Sequence, residues 1–287
     1  LLQLEIQYKT MTPEEHHIES LIDAFLGGLH RDAFTLTDRE LSWEMPMISL
    51  LADRLKQVCA GYRGVRLKVV SNTMRRLPNT ILAFAGIERI TICAPLKEIG
   101  EELRPLFSQV TGIELDDFDL EEIPRWIFEC PRIEVLYLTS GSYFRGLPTG
   151  FASAQTLSSL LVARCPLVNQ MPMEELAQLP SLKYLNFNET PITQISPSIS
   201  NLKSLQYLEV RDCSLLTNLP SELACLPNLE YIDFKGTGIR RIPPELLDLP
   251  KLRYIGVPME LGFMGFVAIN KEHLSPEQLD KLYDVLD

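Results

Sequence analysis

The stretch from Leu182 to Val257 constrains the whole chain, because it repeats. In register it reads Leu182-Lys-Tyr-Leu185-Asn-Phe187, Leu205-Gln-Tyr-Leu208-Glu-Val210, Leu229-Glu-Tyr-Ile232-Asp-Phe234 and Leu252-Arg-Tyr-Ile255-Gly-Val257. Each copy opens as LxxLxL, and the first three run through a turn into a second apolar set, such as Leu216, Leu219-Pro220, Leu223 and Leu226-Pro227. A nearly fixed period of about 24 residues is the mark of a solenoid. Alternate residues of a short strand face opposite sides, so Leu208 and Val210 point inward while Tyr207, Glu209 and Arg211 point outward. A single unit of this kind has nothing to bury its apolar face against; stacked neighbours must supply the core.

Extended toward the N-terminus, the same register opens at Leu157, Ile133, Val110, Ile87 and Tyr62, at nearly equal intervals. Each unit carries a return segment, often introduced by proline as in Leu77-Pro78, Ile123-Pro124 and Leu147-Pro148. Proline suits the start of a helical turn, where its missing N–H has no partner to lose. The expected fold is an α/β solenoid, with a parallel β-sheet on the concave side, short helices or 3₁₀ turns opposite, and a helical cap at each end. Residues 1–61 are expected to form the N-terminal cap: a strand over Leu2–Tyr8, a helix from Thr12-Pro13-Glu14-Glu15 to Gly27-Gly28, and a second helix over Pro46–Ala60. Residues 62–257 hold about eight repeats and a terminal strand. Residues 258–287 form the C-terminal cap, with the apolar run Leu261–Ile269 followed by a helix from Ser275-Pro276-Glu277. An exposed pairing edge at Phe263–Ile269 is the alternative reading of that run.

The repeat resembles the leucine-rich repeat family, whose horseshoe architecture it implies. That resemblance also implies a role for Cys165 and Cys213, which share one repeat position with Thr190 and Thr237. The family places asparagine, cysteine or threonine there to bond the backbone of the turn. The phrases Arg211-Asp-Cys-Ser-Leu-Leu-Thr-Asn-Leu219-Pro and Lys235-Gly-Thr-Gly-Ile239-Arg-Arg-Ile242-Pro-Pro-Glu are similar to repeats of plant intracellular immune receptors and of effectors that bacteria inject into host cells. Some such effectors join the repeat module to a ubiquitin-ligase domain. No segment of this chain matches one, so on that alternative reading the chain is the targeting part of an enzyme whose catalytic region lies elsewhere.

Composition narrows the function classes. A formal net charge of −11 repels phosphate backbones and anionic lipid headgroups, which argues against nucleic-acid or membrane binding. No run of 18 apolar residues and no signal-peptide pattern is present. Because the chain opens on Leu1, it is expected to be a fragment or a processed product. The six cysteines, Cys59, Cys93, Cys130, Cys165, Cys213 and Cys225, contain no CxxC and no clustered terminal pair. Cys165 and Cys213 lie two repeats apart, about 10 Å at strand spacing, beyond the reach of a disulfide. The thiols are expected to be reduced and the protein intracellular, with delivery by a bacterium into a host cytosol as the effector resemblance implies.

Candidate sites are few. No catalytic constellation or phosphate loop is recognisable, and no cofactor is expected. His16 and His17 beside Glu14 and Glu15 invite a metal reading, but adjacent helical residues diverge by about 100°, and HExxH is absent. The loop Ser140-Gly-Ser-Tyr143-Phe144-Arg145 either offers an aromatic contact or tucks an aromatic over the core. Outward strand positions hold Tyr184, Tyr207, Tyr231 and Tyr254, with rings spaced to stack. Beside them lie Asn186, Glu209 and Asp233, then Arg211 and Lys235. An earlier basic set, Arg63, Arg66 and Lys68, and an acidic set, Glu114, Asp116 and Asp117, give the inner face zones of different charge. Tyrosine is both a strand former that packs on its neighbours and a frequent binding hot spot. The expected function is a protein-binding module using this concave surface, non-enzymatic, with its oligomeric state open.

Overall fold

The computed structural model describes residues 12–27, 33–43, 45–58, 66–84, 86–258 and 267–268. The expected strand at Leu2–Tyr8 and the final helix from Ser275 lie outside them. Helix α1 (Pro13–Gly27) starts as the sequence predicts. The Thr12 hydroxyl accepts the Glu15 N–H at 3.2 Å, and the Glu15 carboxylate accepts the Thr12 N–H at 2.7 Å, a reciprocal capping box. A single-turn helix α2 (Asp38–Leu41) precedes α3 (Met45–Val58), whose Ile48, Leu51 and Leu55 are buried at helical spacing.

The described strands form one sheet in chain order: β1 (Ala33–Thr37), β2 (Arg66–Val70), β3 (Arg89–Cys93), β4 (Gly112–Asp116), β5 (Val135–Thr139), β6 (Ser159–Ala163), β7 (Tyr184–Asn186), β8 (Tyr207–Glu209), β9 (Tyr231–Asp233), β10 (Tyr254–Gly256) and β11 (Val267–Ala268). The first ten are parallel, and β11 runs antiparallel against β10. The apolar run after Val257 therefore covers the sheet edge at these two residues, and an uncovered edge would invite pairing with another chain. Return segments of 3₁₀ or single-turn α-helix lie opposite the sheet, for example Asn79–Ala83, Pro197–Asn201 and Ser221–Cys225. Inward strand residues such as Leu67, Ile90, Ile113, Leu136, Leu160, Leu185, Leu208 and Ile232 are completely buried. Together with the return-segment residues they make one continuous core.

Two features differ from the sequence reading. A strand absent from the sequence reading, β1, stands between the two cap helices and pairs with β2. Ala33 pairs with Arg66, a longer step along the chain than any later repeat takes, and the full-length helix α3 fills the place that a short 3₁₀ turn fills in later units. The second concerns Tyr62. Arg66 pairs with Arg89, and since Arg89 lies two residues past Ile87, the matching opening is Gly64. A glycine at the first apolar position hid the register and displaced it by two residues.

Every strand from β4 to β9 leaves the sheet through a left-handed residue seven positions after its opening. These are Asp117, Ser140, Arg164, Glu189, Asp212 and Gly236, with φ between 54° and 67°. The kink lets the next residue turn its side chain into the coil. At that next position the Thr190 and Thr237 hydroxyls donate to the carbonyls of Phe187 and Phe234, each at 2.7 Å. Cys213 Sγ lies 3.0 Å from the Phe187 carbonyl, and Cys165 Sγ lies 3.3 Å from that of Ala163. Burial pushes the Cys165 thiol up to about 11 and raises that of Cys213. Cys93, Cys130, Cys165, Cys213 and Cys225 are all free, and Cys165 and Cys213 are buried as expected.

A side chain in the left-handed region costs about 1–2 kcal/mol, and glycine avoids that cost. Gly236→Ala is expected to lower stability by about 1–2 kcal/mol, since its methyl would also meet the Asp212 carboxylate. Glu189→Gly, at the equivalent place with an exposed side chain, should cost nothing or gain up to about 1 kcal/mol. Urea midpoints of the two variants check both signs.

Candidate functional site

The outward side chains of the parallel strands form columns, because pairing is in register throughout. The first column runs Arg66, Arg89, Gly112, Val135, Ser159, Tyr184, Tyr207, Tyr231, Tyr254. The next outward column ends Tyr137, Leu161, Asn186, Glu209, Asp233, Gly256. All four predicted tyrosines thus share one row, and the basic residues Arg66 and Lys68 lie at the other end of the sheet; Arg63 is outside the described residues. Arg89 joins the basic end, its stem folded over Gly112.

The rings do not stack uniformly. Tyr231 and Tyr254 are parallel at 4.3 Å between centroids, whereas Tyr184–Tyr207 and Tyr207–Tyr231 are tilted at 6.4 and 6.0 Å. Sheet twist rotates neighbouring strands, so strand spacing alone does not set ring spacing. Tyr137 extends the row, 6.4 Å from Tyr184. It was missed because it stands between Leu136 and Leu138, at the second outward position and not at the first. That alternation is the signal that would have found it.

Asn186 and Asp233 depart from the sequence reading most sharply. Read as exposed contact residues, they are buried, with 3% and 0% exposure. Each closes its strand by accepting the N–H two residues on, Asn186 Oδ1 from Asn188 at 2.8 Å and Asp233 Oδ1 from Lys235 at 3.1 Å. Neighbouring side chains then roof them. The Tyr231 hydroxyl donates to Asp233 Oδ2 at 3.1 Å and accepts from Arg211 Nη2 at 2.6 Å. Arg211 Nε also lies 2.7 Å from Asp233 Oδ2. That N–H is not aligned on the oxygen, so the contact is an ion pair and not a hydrogen bond. Lys235 Nζ donates to the Tyr254 hydroxyl at 2.7 Å. Gly256 leaves room for this carboxylate: a Cβ there would sit 2.1 Å from Asp233 Oδ1.

The same device recurs at β7. Asn186 Nδ2 donates to the Tyr184 hydroxyl at 2.9 Å and to Glu209 Oε2 at 3.2 Å, and Tyr184 donates to Glu209 Oε1 at 3.2 Å. Burial, with the Glu209 carboxylate adding to it, pushes the Tyr184 phenol up to about 12 and raises that of Tyr231 in the same way, beside Asp233. For Arg211, burial opposes the charge, but Asp233 and the Tyr231 hydroxyl outweigh it and hold the guanidinium charged.

Tyr207 is the exception in the row. It is 39% exposed, and among the described residues its hydroxyl has no hydrogen-bond partner. In the loop after β5, Phe144 is completely buried against Phe118 while Tyr143 is 56% exposed, so one aromatic tucks inward and the other faces solvent. His17 is engaged by Glu40, with Nε2 2.9 Å from Oε1. Glu40 is lowered despite its burial because His17 and Thr37 hydrogen-bond it. Among the described residues no three metal-ligating side chains come together.

Repeat units stacked through parallel strands of one sheet, with a threonine or cysteine bonding the turns after β6 to β9 from inside, define a leucine-rich repeat solenoid. Residues 149–265 match the family model for a leucine-rich repeat region. The chain is 26% identical over 149 residues to the TMV resistance protein N of Nicotiana glutinosa, covering 50% of this chain and 13% of that protein. It is 25% identical over 199 residues to the receptor-like protein EIX1 of Solanum lycopersicum, covering 67% of this chain and 19% of that protein. The matches thus span less than one fifth of the length of either curated relative. Among solved structures, the leucine-rich repeat domain of the type III effector XopL superimposes with a TM-score of 0.61 at 21% identity, covering 88% of this chain and 85% of that one. The fold is a general protein-interaction scaffold. Among the described residues no helix is long and apolar enough to cross a membrane.

The network makes Tyr231 structural. Tyr231→Phe deletes a hydroxyl that both donates to Asp233 and accepts from Arg211, and is expected to cost about 1–3 kcal/mol. Tyr207→Phe should leave the urea midpoint unchanged. A phenol whose folded pKa stands above its unfolded value stabilises the fold while it stays protonated, so this contribution is complete below about pH 10 and is lost as pH rises through about 12 for Tyr184. Alkaline difference spectroscopy should therefore show two phenols ionising late, together with unfolding.

Proposed function

We propose that the chain is a recognition module that takes a protein partner on its concave face, and that it does so as a bacterial effector acting on a host protein in the host cytosol. The observation that carries this reading is Tyr207. It is the one tyrosine of the row that combines substantial exposure with an unengaged hydroxyl, and it is held on both sides by the rings of Tyr184 and Tyr231. A large aromatic immobilised before binding loses little entropy on contact, which is the profile of a hot spot. Glu209, Arg211 and Lys235 are partly exposed polar groups on the same side of the sheet, while Asn186 and Asp233 act from beneath by fixing Tyr184, Tyr231 and Tyr254. The structural likeness to an effector's repeat domain supports the effector reading, as do the free thiols.

The test uses the protein that the unaltered chain captures from host-cell lysate, purified and titrated against variants. Tyr207→Ala should weaken its affinity about thirtyfold, or about 2 kcal/mol, with the thermal midpoint unmoved. Unchanged affinity for Tyr207→Ala would place the partner elsewhere on the solenoid.

A further inference from the structure

Four large apolar side chains among the described residues are exposed: Tyr143 at 56%, Leu167 at 42%, Leu215 at 54% and Tyr207 at 39%. The first three occupy one place in the repeat. Each lies ten residues past its opening, at Ile133, Leu157 or Leu205, and directly before the buried residue that closes the turn, Phe144, Val168 or Leu216. Their repeats are also the longest of the array from Ile87 onward. In the shorter repeats beginning at Leu182 and Leu229 the closing residue itself, Ile192 or Ile239, takes that place and is buried. Each long repeat thus uses one added residue to put an apolar side chain on the rim where the strands leave the sheet.

The surroundings are equally patterned. In a chain with 23% charged residues, the turns at 165–172, 190–197 and 213–220 contain none. Charge returns on both sides with opposite sign. The turn after β4 presents Glu121 and Glu122, and the turn after β9 presents Arg240 and Arg241, at the same two places of the repeat and all exposed. Arg145 lies 3.7 Å from Glu121, but both side chains are about 70% exposed, so that pair is weak. A cleft of about 450 Å³ opens at the acidic end between Lys97, Asp119, Glu121, Glu122 and Tyr143.

We propose that this rim is the contact surface of a homodimer, with the twofold axis passing between the turns that follow β6 and β7. About that axis the rim is complementary to itself. The turn after β4 meets the turn after β9 of the second copy, so Glu121 and Glu122 face Arg240 and Arg241. The turn after β5 meets the turn after β8, so Tyr143 faces Leu215. Leu167 faces Pro191. Each contact occurs twice, as an isologous interface requires, and a charge-depleted apolar centre with charged ends is the anatomy of a protein contact. One arginine enters the cleft, where carboxylates and the Tyr143 ring both favour a guanidinium. The turns involved span about 24 Å at strand spacing, a small interface of the weak class, so association is expected at roughly micromolar concentrations or above. The concave face stays open in this arrangement.

Sedimentation velocity from roughly 1 to 300 µM should show the mass rising from monomer to dimer. Leu215→Glu should hold the chain monomeric, as should the pair Arg240→Glu with Arg241→Glu, and separately the pair Glu121→Arg with Glu122→Arg. An equimolar mixture of the two charge-reversed chains should dimerise again, and so should one chain carrying all four changes. Circular dichroism confirms folding, and because every altered side chain is exposed, the two charge pairs provide independent tests. A monomer at every concentration of the unaltered chain, or a dimer that survives the charge reversals, would overturn the proposal.

Discussion

Register between neighbouring strands is the constraint on which the rest depends. Each parallel pair from β2 onward aligns residues one repeat apart, and the inward pair of each strand fills space that only the adjacent units can close. A strand that slipped by one residue would turn its leucines to solvent. The register is defended where the chain leaves the sheet, by a left-handed residue that after β6 to β9 is followed by a buried threonine or cysteine bonding the turn. Five of the six left-handed residues carry side chains, so the core holds the kink against its own strain.

Once the register is fixed, most of the tyrosine row serves the scaffold. Outward residues on a twisted parallel sheet lie close enough to cover one another, and the strand-ending Asn186 and Asp233 need their backbone contacts. Tyr184, Tyr231 and Tyr254 shield those side chains from water, and Arg211 and Lys235 compensate the buried carboxylate. A buried charge of this kind is costly unless paired and hydrogen-bonded, and Asp233 has both forms of support. What remains free for a partner is what the network does not use, and in this row that is Tyr207.

Sequence reading located the repeats, the capping box at Thr12, the inward leucines and the turn position of Cys165 and Cys213, because each rests on periodicity or on a local bond. It misplaced the first repeat because Gly64 carries no apolar signal. It overlooked β1 because five residues between helices, with only Phe34 and Leu36 alternating, are too short to announce a strand. Alternation says which side of the sheet a residue faces, not whether a neighbour covers it, so the burial of Asn186 and Asp233 was not legible. Ring geometry was equally out of reach, since it follows from twist and from hydrogen bonds two strands apart.

Repeat length carries information that the consensus pattern hides. An extra residue within a strand would break every pairing downstream, and one inside the buried part of the return segment would shift core side chains. The strand-exit turn absorbs an insertion at least cost, because its tip faces solvent and loop closure grows slowly with length. Two surfaces of one solenoid can therefore change independently. The concave face varies by side-chain identity at fixed register, whereas the rim varies by insertion at fixed core. In this chain the insertions fall in three of four consecutive turns and each adds an exposed apolar group, while the equivalent places at either end carry opposite charges. Random drift of neutral turns predicts neither the shared position nor that polarity. A surface that must match a second surface predicts both.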